Sequence, residues 1–292
     1  MIASEIALDG FVHGQNLHNK VTQTGDVELK KAFREYREFR KNTSNIKILT
    51  PSEIRTFLKQ FNGYREKVIG IFEQRKNSGQ ENLRSTMLEE FFTHLFIGLV
   101  SEICKKRPEN LYLGKGSGYV DLTFSPKSFK SMFDTPNPYV HSKDQDFLLG
   151  AKFVVSVSPA TSKVKRNKEE NIVVPVVAIE CKTYLERNML DSCCGTAARI
   201  KRAMPYCLYI IASEYLKLKV AQPELTDIDE IFILCKASNS ERLERIRSKQ
   251  PVHPIHSDLI IALFEMVHKH LNRSWWKPED ALRIGKVINR PL

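Results

Sequence analysis

The sequence has no Cys-x-x-Cys pair, no His-Glu-x-x-His run, and no apolar stretch approaching the roughly 18–20 residues that a spanning helix needs. Each absence removes a class of protein. The cysteines, Cys104, Cys181, Cys193, Cys194, Cys207 and Cys235, all lie in or beside apolar segments. Reduced, packed thiols are therefore expected, rather than a zinc site or a disulfide framework. The opening "MIASEIALDGFVHGQN" has no basic region followed by an apolar run, so no secretory signal is read and a cytoplasmic protein is expected. Repeats and low-complexity segments are missing too. Acidic residues are in deficit, 34 against 45 Lys plus Arg, which leaves a net charge of +11. An excess of that sign suits a polyanionic partner, nucleic acid before an anionic membrane.

What is present is patterned. The 292 residues, 42% hydrophobic, suffice for a substantial core. Residues 1–25 are polar and unpatterned and read as an arm, and "VELKKAFREYREFRK" reads as a short basic helix. Thr50-Pro51-Ser52-Glu53 is a capping box with proline at the first helical position. Behind it Ile54, Phe57, Leu58, Phe61, Val68, Ile71 and Phe72 recur at helical spacing until Asn77-Ser78-Gly79. A further helix from about residue 82 carries the stripe Leu88, Phe91, Phe92, Leu95, Leu99. From residue 111 the texture changes to strands. "LYLGKGSGYVDLTF" reads as a strand or hairpin with a glycine-rich bend. "DFLLGAKFVVSVS" (146–158) and the run ending in "VVPVVAIECKTYL" read as an antiparallel hairpin. A helix through "SCCGTAARIKRAM", stopped by Pro205, leads to strands at 206–213 and 228–235. The order predicts an α/β protein: a mixed central β-sheet flanked by helices, with a helical N-terminal extension. The expected organisation is an arm and helical region over 1–80, a core over 81–240, and a C-terminal helical tail over 241–292.

One strand carries chemistry. "IVVPVVAI" is too apolar for an edge, yet Glu180 and Lys182 follow it, with Cys181 between them. Desolvating an unpaired ion costs several kcal/mol (about 3–5 when a buried partner is missing), so charges at the end of a core strand need compensation. Period-two geometry sets Glu180 and Lys182 on one face and Cys181 on the other. An acidic residue at the start of the preceding strand, in "KDQDFLLG", converges on the same end of the sheet. Two carboxylates so placed suit a hard divalent cation such as Mg²⁺. A lysine beside them can orient or deprotonate a water and offset charge growing on phosphorus.

This arrangement resembles the PD-(D/E)xK nuclease superfamily. "KDQDFLLG", "VVPVVAIECKTYLERNMLD", "TAARIKRAMPYCLYIIASEYLKL", "PELTDIDEIFIL", "NSER" and the closing tryptophan-rich tail together look like BbvCI-type type II restriction endonuclease subunits, from about residue 80 onward. The resemblance implies Mg²⁺-dependent hydrolysis of double-stranded DNA at a short specific site. It also implies a related second subunit, or a second copy, with one strand cut per subunit. Glu180 and Lys182 carry over as metal ligand and catalytic lysine. Asp146 carries over as the other metal ligand, although Gln145 stands where the motif has proline, and Asp144 and Asp121 remain rivals. Family members add an acidic residue from the preceding helix; Glu89 flanks the apolar stripe while Glu90 faces away, so Glu89 is the candidate. Other nuclease roles on this fold, in repair or junction resolution, and an inactive DNA-binding partner are the alternatives.

The DNA-contacting candidates are Lys163, Lys165 and Arg166 in the basic loop, with Arg199, Lys201 and Arg202 late in the following helix. A solvated hairpin tip reads equally well for the loop, and simple surface exposure reads slightly better for Arg199 and Arg202. Trp275 and Trp276 are read as anchoring the tail rather than stacking on bases.

Overall fold

In the computed structural model the chain is described over residues 11–75, 82–105, 108–133, 136–158, 168–273, 275 and 277–285. Helix α1 (Val12–Thr24) occupies most of the stretch expected to be an arm. Its sequence is polar because little of it faces inward, but Leu17 is fully buried. The buried His13 ring bonds Thr86 Oγ1 at 3.1 Å and Tyr64 Oη at 2.7 Å. These bonds and one leucine help dock a helix whose hydrophobic pattern is too sparse to announce it.

Helix α2 (Val27–Thr43) starts at Asp26, whose carboxylate accepts the N–H groups of Glu28 and Leu29 at 2.8 and 3.1 Å. It buries Leu29, Ala32, Tyr36 and Phe39, so the aromatics among its basic residues serve the core. Helix α3 (Pro51–Glu73) opens on the capping box read from sequence: Glu53 N–H donates to Thr50 Oγ1, and Thr50 N–H donates to Glu53 Oε2. Helix α4 (Ser85–Cys104) is apolar nearly all round and runs between α1–α3 and the sheet. Cys104 is exposed at its end, unlike the packed thiol expected there; all six cysteines are free.

The sheet has five strands in the order β1-β2-β3-β4-β5. These are β1 (Leu111–Phe124), β2 (Pro138–Val157), β3 (Lys168–Leu185), β4 (Leu208–Leu216) and β5 (Glu230–Ser238). The first three pair antiparallel and the last three parallel, the mixed sheet that the element order predicts. Helix α5 (Arg187–Ala203) makes the crossover from β3 to β4. Helices α6 (Asn239–Arg247), α7 (Ser257–Asn272) and α8 (Pro278–Ile284) follow. Alternation along the strands divides the core. Phe147, Leu149, Val177, Ile179 and Ile210 pack with α3, α4 and α7, while Leu148, Ala178, Tyr209 and Ile211 pack under α5. Among the described residues no helix is long and apolar enough to cross a membrane.

Of the two readings for 111–124 the strand holds: β1 is one strand with register shifts at Gly114/Gly116 and Tyr119/Asp121. Gly114 has φ +130°, a conformation that only glycine adopts at little cost. β2 begins at Pro138 rather than at Asp146, because "PYVHSKDQ" pairs with β1 alone and so carries no apolar alternation.

Buried charge ties the layers together. Arg65 on α3 and Arg84 before α4 both bond Glu214 on β4, and Glu73 bonds Arg84 and, at 2.7 Å, Arg245 on α6. Trp275 stacks on Tyr206 with centroids 5.7 Å apart and donates its N–H to His270 O, which anchors the tail at that residue. Trp276 lies outside the described residues.

Candidate active site

β2 and β3 pair as far as Phe147↔Ile179, and the next residue along each strand is Asp146 and Glu180. Beyond that point the strands part. The register therefore delivers both carboxylates to the end of a shared ladder, on the α5 face. Asp146 Oδ2 accepts the backbone N–H of Cys181 at 2.8 Å. The Lys182 ammonium lies 2.6 Å from Glu180 Oε2 and 3.4 Å from Asp146 Oδ2. Thus the sequence-predicted trio meets in one place.

Burial opposes the charged form of Lys182, but the Asp146 and Glu180 carboxylates outweigh it and raise its pKa. Burial pushes the Glu180 carboxyl up, Lys182 pulls it down, and Asp146 pushes it up again. One ammonium thus stands between two crowded carboxylates, which leaves negative charge for a cation to offset.

Glu89, on α4, feels the charge of Asp146, though its ion pair lies outside the trio. Its carboxylate is 2% exposed and ion-paired at 3.0 Å with Lys115. Desolvation first, and the charge of Asp146 second, push its pKa up to about 7. Lys115 itself was not foreseen. It sits in the "LGKGSG" irregularity of β1, where the Tyr112 hydroxyl donates to the Lys115 carbonyl. The two flanking glycines were the available signal, since a bulge re-aims a side chain. Glu90, read as facing away, does face away from the sheet but is buried: it accepts Gly14 N–H at 2.9 Å and Tyr36 O–H at 2.7 Å.

The rival carboxylates stand elsewhere. Asp144 accepts a hydrogen bond from Ser117 and borders the cleft. Asp121 is exposed, opposite His141 in the β1–β2 ladder, and bonds its neighbouring N–H. The cleft has a volume of about 820 Å³ and is walled by Ser142, Lys143 and Asp144 of β2, by Glu180 and Lys182, and by the first half of α5. Arg199 and Arg202 are exposed further along that helix, outside the cleft lining. Lys201 is not a free cation: it bonds Asp229 at 2.7 Å. Lys163, Lys165 and Arg166 lie outside the described residues.

Among the described residues no three His, Cys, Asp or Glu side chains converge as a metal-binding group. Asp146 and Glu180 offer a pair of carboxylates. That fits Mg²⁺, which is commonly held by one or two carboxylates with waters and substrate phosphate completing the shell.

A mixed sheet flanked by helices, with carboxylates and a lysine gathered where its central hairpin parts, is a restriction-endonuclease-like fold. Residues 80–287 match the sequence model of the Bpu10I restriction endonuclease family, and the chain belongs to that family. It is therefore a site-specific deoxyribonuclease of the type II restriction class. The structure is similar to a chain of the native BbvCI A2B2 tetramer, solved at low resolution. The match has a TM-score of 0.67 at 19% identity and covers 92% of this chain and 97% of that one. At that identity the likeness is one of fold. No curated protein matches the sequence.

Proposed function

We propose that Asp146, Glu180 and Lys182 are the catalytic centre of a Mg²⁺-dependent subunit that hydrolyses one strand of a double-stranded site. The observation that carries this reading is the Lys182 ammonium shared between the two carboxylates where β2 and β3 part. Asp146 and Glu180 would hold the cation, with Glu89 as a supporting carboxylate. When bound, the cation supplies Lewis-acid polarisation of the phosphoryl group. Lys182, held as an ammonium by the two carboxylates, orients the attacking water and opposes the charge growing on phosphorus, while the water's proton leaves to bulk solvent or a phosphate oxygen. Lys115 keeps Glu89 from being an isolated buried charge.

Cutting both strands then needs a second active site, from a related subunit or another copy of this chain. The A2B2 composition of the similar tetramer supports the former. Digestion of supercoiled plasmid by the chain, alone and with a co-expressed sister subunit, tests the reading. Cutting at fixed positions is expected with Mg²⁺ and none in EDTA; full cleavage in EDTA would refute the metal assignment.

A further inference from the structure

The ribbon formed by β1 and the first half of β2 ends in a loop with an unusual surface. Phe129 is 83% exposed, Phe133 65%, Tyr139 57%, Phe124 46% and Met132 42%. Soluble proteins rarely leave so many large apolar side chains together in water without a use. The described part of the loop, 125–133 with 136 and 137, is tied down. Ser125 N–H donates to Pro136 O at 3.1 Å, and Asn137 Nδ2 donates to Ser125 O at 3.1 Å, which closes its base. Ser128 N–H donates to Ser131 Oγ and Ser131 N–H to Ser128 Oγ, at 2.8 and 3.2 Å, around a short 3₁₀ turn at Lys130–Met132. Phe129 and Phe133 meet edge to face with centroids 5.3 Å apart. The rings are held outward by a built turn.

We propose that this tip is a wedge that enters double-stranded DNA bound along the cleft, levering open a base step beside the cut. The proposal rests on the nuclease reading above. Two observations select DNA over a protein partner. First, the exposed Lys127 and Lys130 alternate with the rings. Lysine is depleted at protein–protein interface cores, whereas phenylalanine and methionine wedges flanked by cations are what DNA-kinking proteins insert. Second, the ribbon continues directly into the cleft wall. Ser142 and Lys143 line it, and Tyr139 stands about 10 Å further along the same strand. DNA lying against Lys143 therefore passes within reach of the tip. Because the turn is ordered beforehand, the rings lose little freedom on insertion.

The test uses the full chain in its active assembly, with Ca²⁺ replacing Mg²⁺ to hold DNA uncut. The probes are duplexes bearing 2-aminopurine at each step around the site mapped by plasmid digestion. Wild type is expected to raise fluorescence at one or two steps beside the cut. A Phe129→Ala, Phe133→Ala double variant should lose that rise and bind about tenfold or more weakly. Its assembly mass and melting temperature should match wild type, since both rings are exposed. Equal affinity and fluorescence in the variant, or no rise with wild type, would overturn the wedge. A fall in assembly mass would overturn it in favour of a subunit interface. A wild-type protein that cuts no DNA would refute the nuclease reading, whereas a cutting wild type with an unimpaired variant refutes the wedge alone.

Discussion

Asp146 and Cys181 face each other across the parting strands, the carboxylate of one accepting the backbone N–H of the other at 2.8 Å. Main chain at the shorter distance, with the Lys182 ammonium at 3.4 Å, thus orients Asp146. Asp146→Asn can keep this bond through its amide oxygen while losing the charge. The expected result is an unchanged melting curve and cleavage slowed about 10²–10³-fold, as when one stabilising group leaves an active site. Plasmid cleavage rates beside circular-dichroism melts check it.

Glu89 predicts a pH effect on the metal-free protein. Its folded pKa is raised to about 7 from an ordinary 4.5. The folded state therefore holds the proton more tightly. The stability this confers is complete below about pH 4.5 and is lost as pH rises through 7, on the order of 3 kcal/mol over the window. Thermal melts in EDTA at about pH 5, 6 and 7.5 should show the decline, and Glu89→Gln should flatten it. A wild-type curve that is flat there contradicts the assignment.

Glu214 works in the opposite sense. Burial raises its pKa, but the guanidinium groups of Arg84 and Arg65 outweigh this and lower it to about 2. The stability is present above the ordinary 4.5 and lost as pH falls through 2. Glu214→Gln leaves two buried arginines short of charge and should destabilise by about 3–5 kcal/mol. Urea unfolding at neutral pH measures the loss.

The net charge of +11 predicts DNA binding that weakens steeply with salt. Each neutralised phosphate adds about 0.9 to the log–log slope. Titrations in Ca²⁺ between low and moderate salt measure it; a flat response would separate the basic excess from DNA.

Much of the site was legible because strands have a fixed period. An apolar run followed by Glu180 and Lys182 sets both on one face, and one hairpin partner brings Asp146 alongside. Glu89 was legible from the apolar stripe of its helix. Lys115 was not, because its direction depends on an irregularity in β1 that no alternation encodes. Lys201 was read as available because its partner, Asp229, lies beyond the next strand. Helix α1 was missed for a related reason: His13 docks it through Thr86 and Tyr64, contacts made far along the chain.

Lys182→Ala, assembled with an intact partner subunit, tests the central claim most directly. The side chain is a quarter exposed, and in Mg²⁺ the cation offsets the two carboxylates left without the ammonium, so the assembly should form normally. Losing the water-orienting lysine should slow this site by roughly 10²–10⁴-fold. Supercoiled plasmid should then become nicked circles with every break in the same strand. Unchanged double-strand cleavage would place the active site elsewhere.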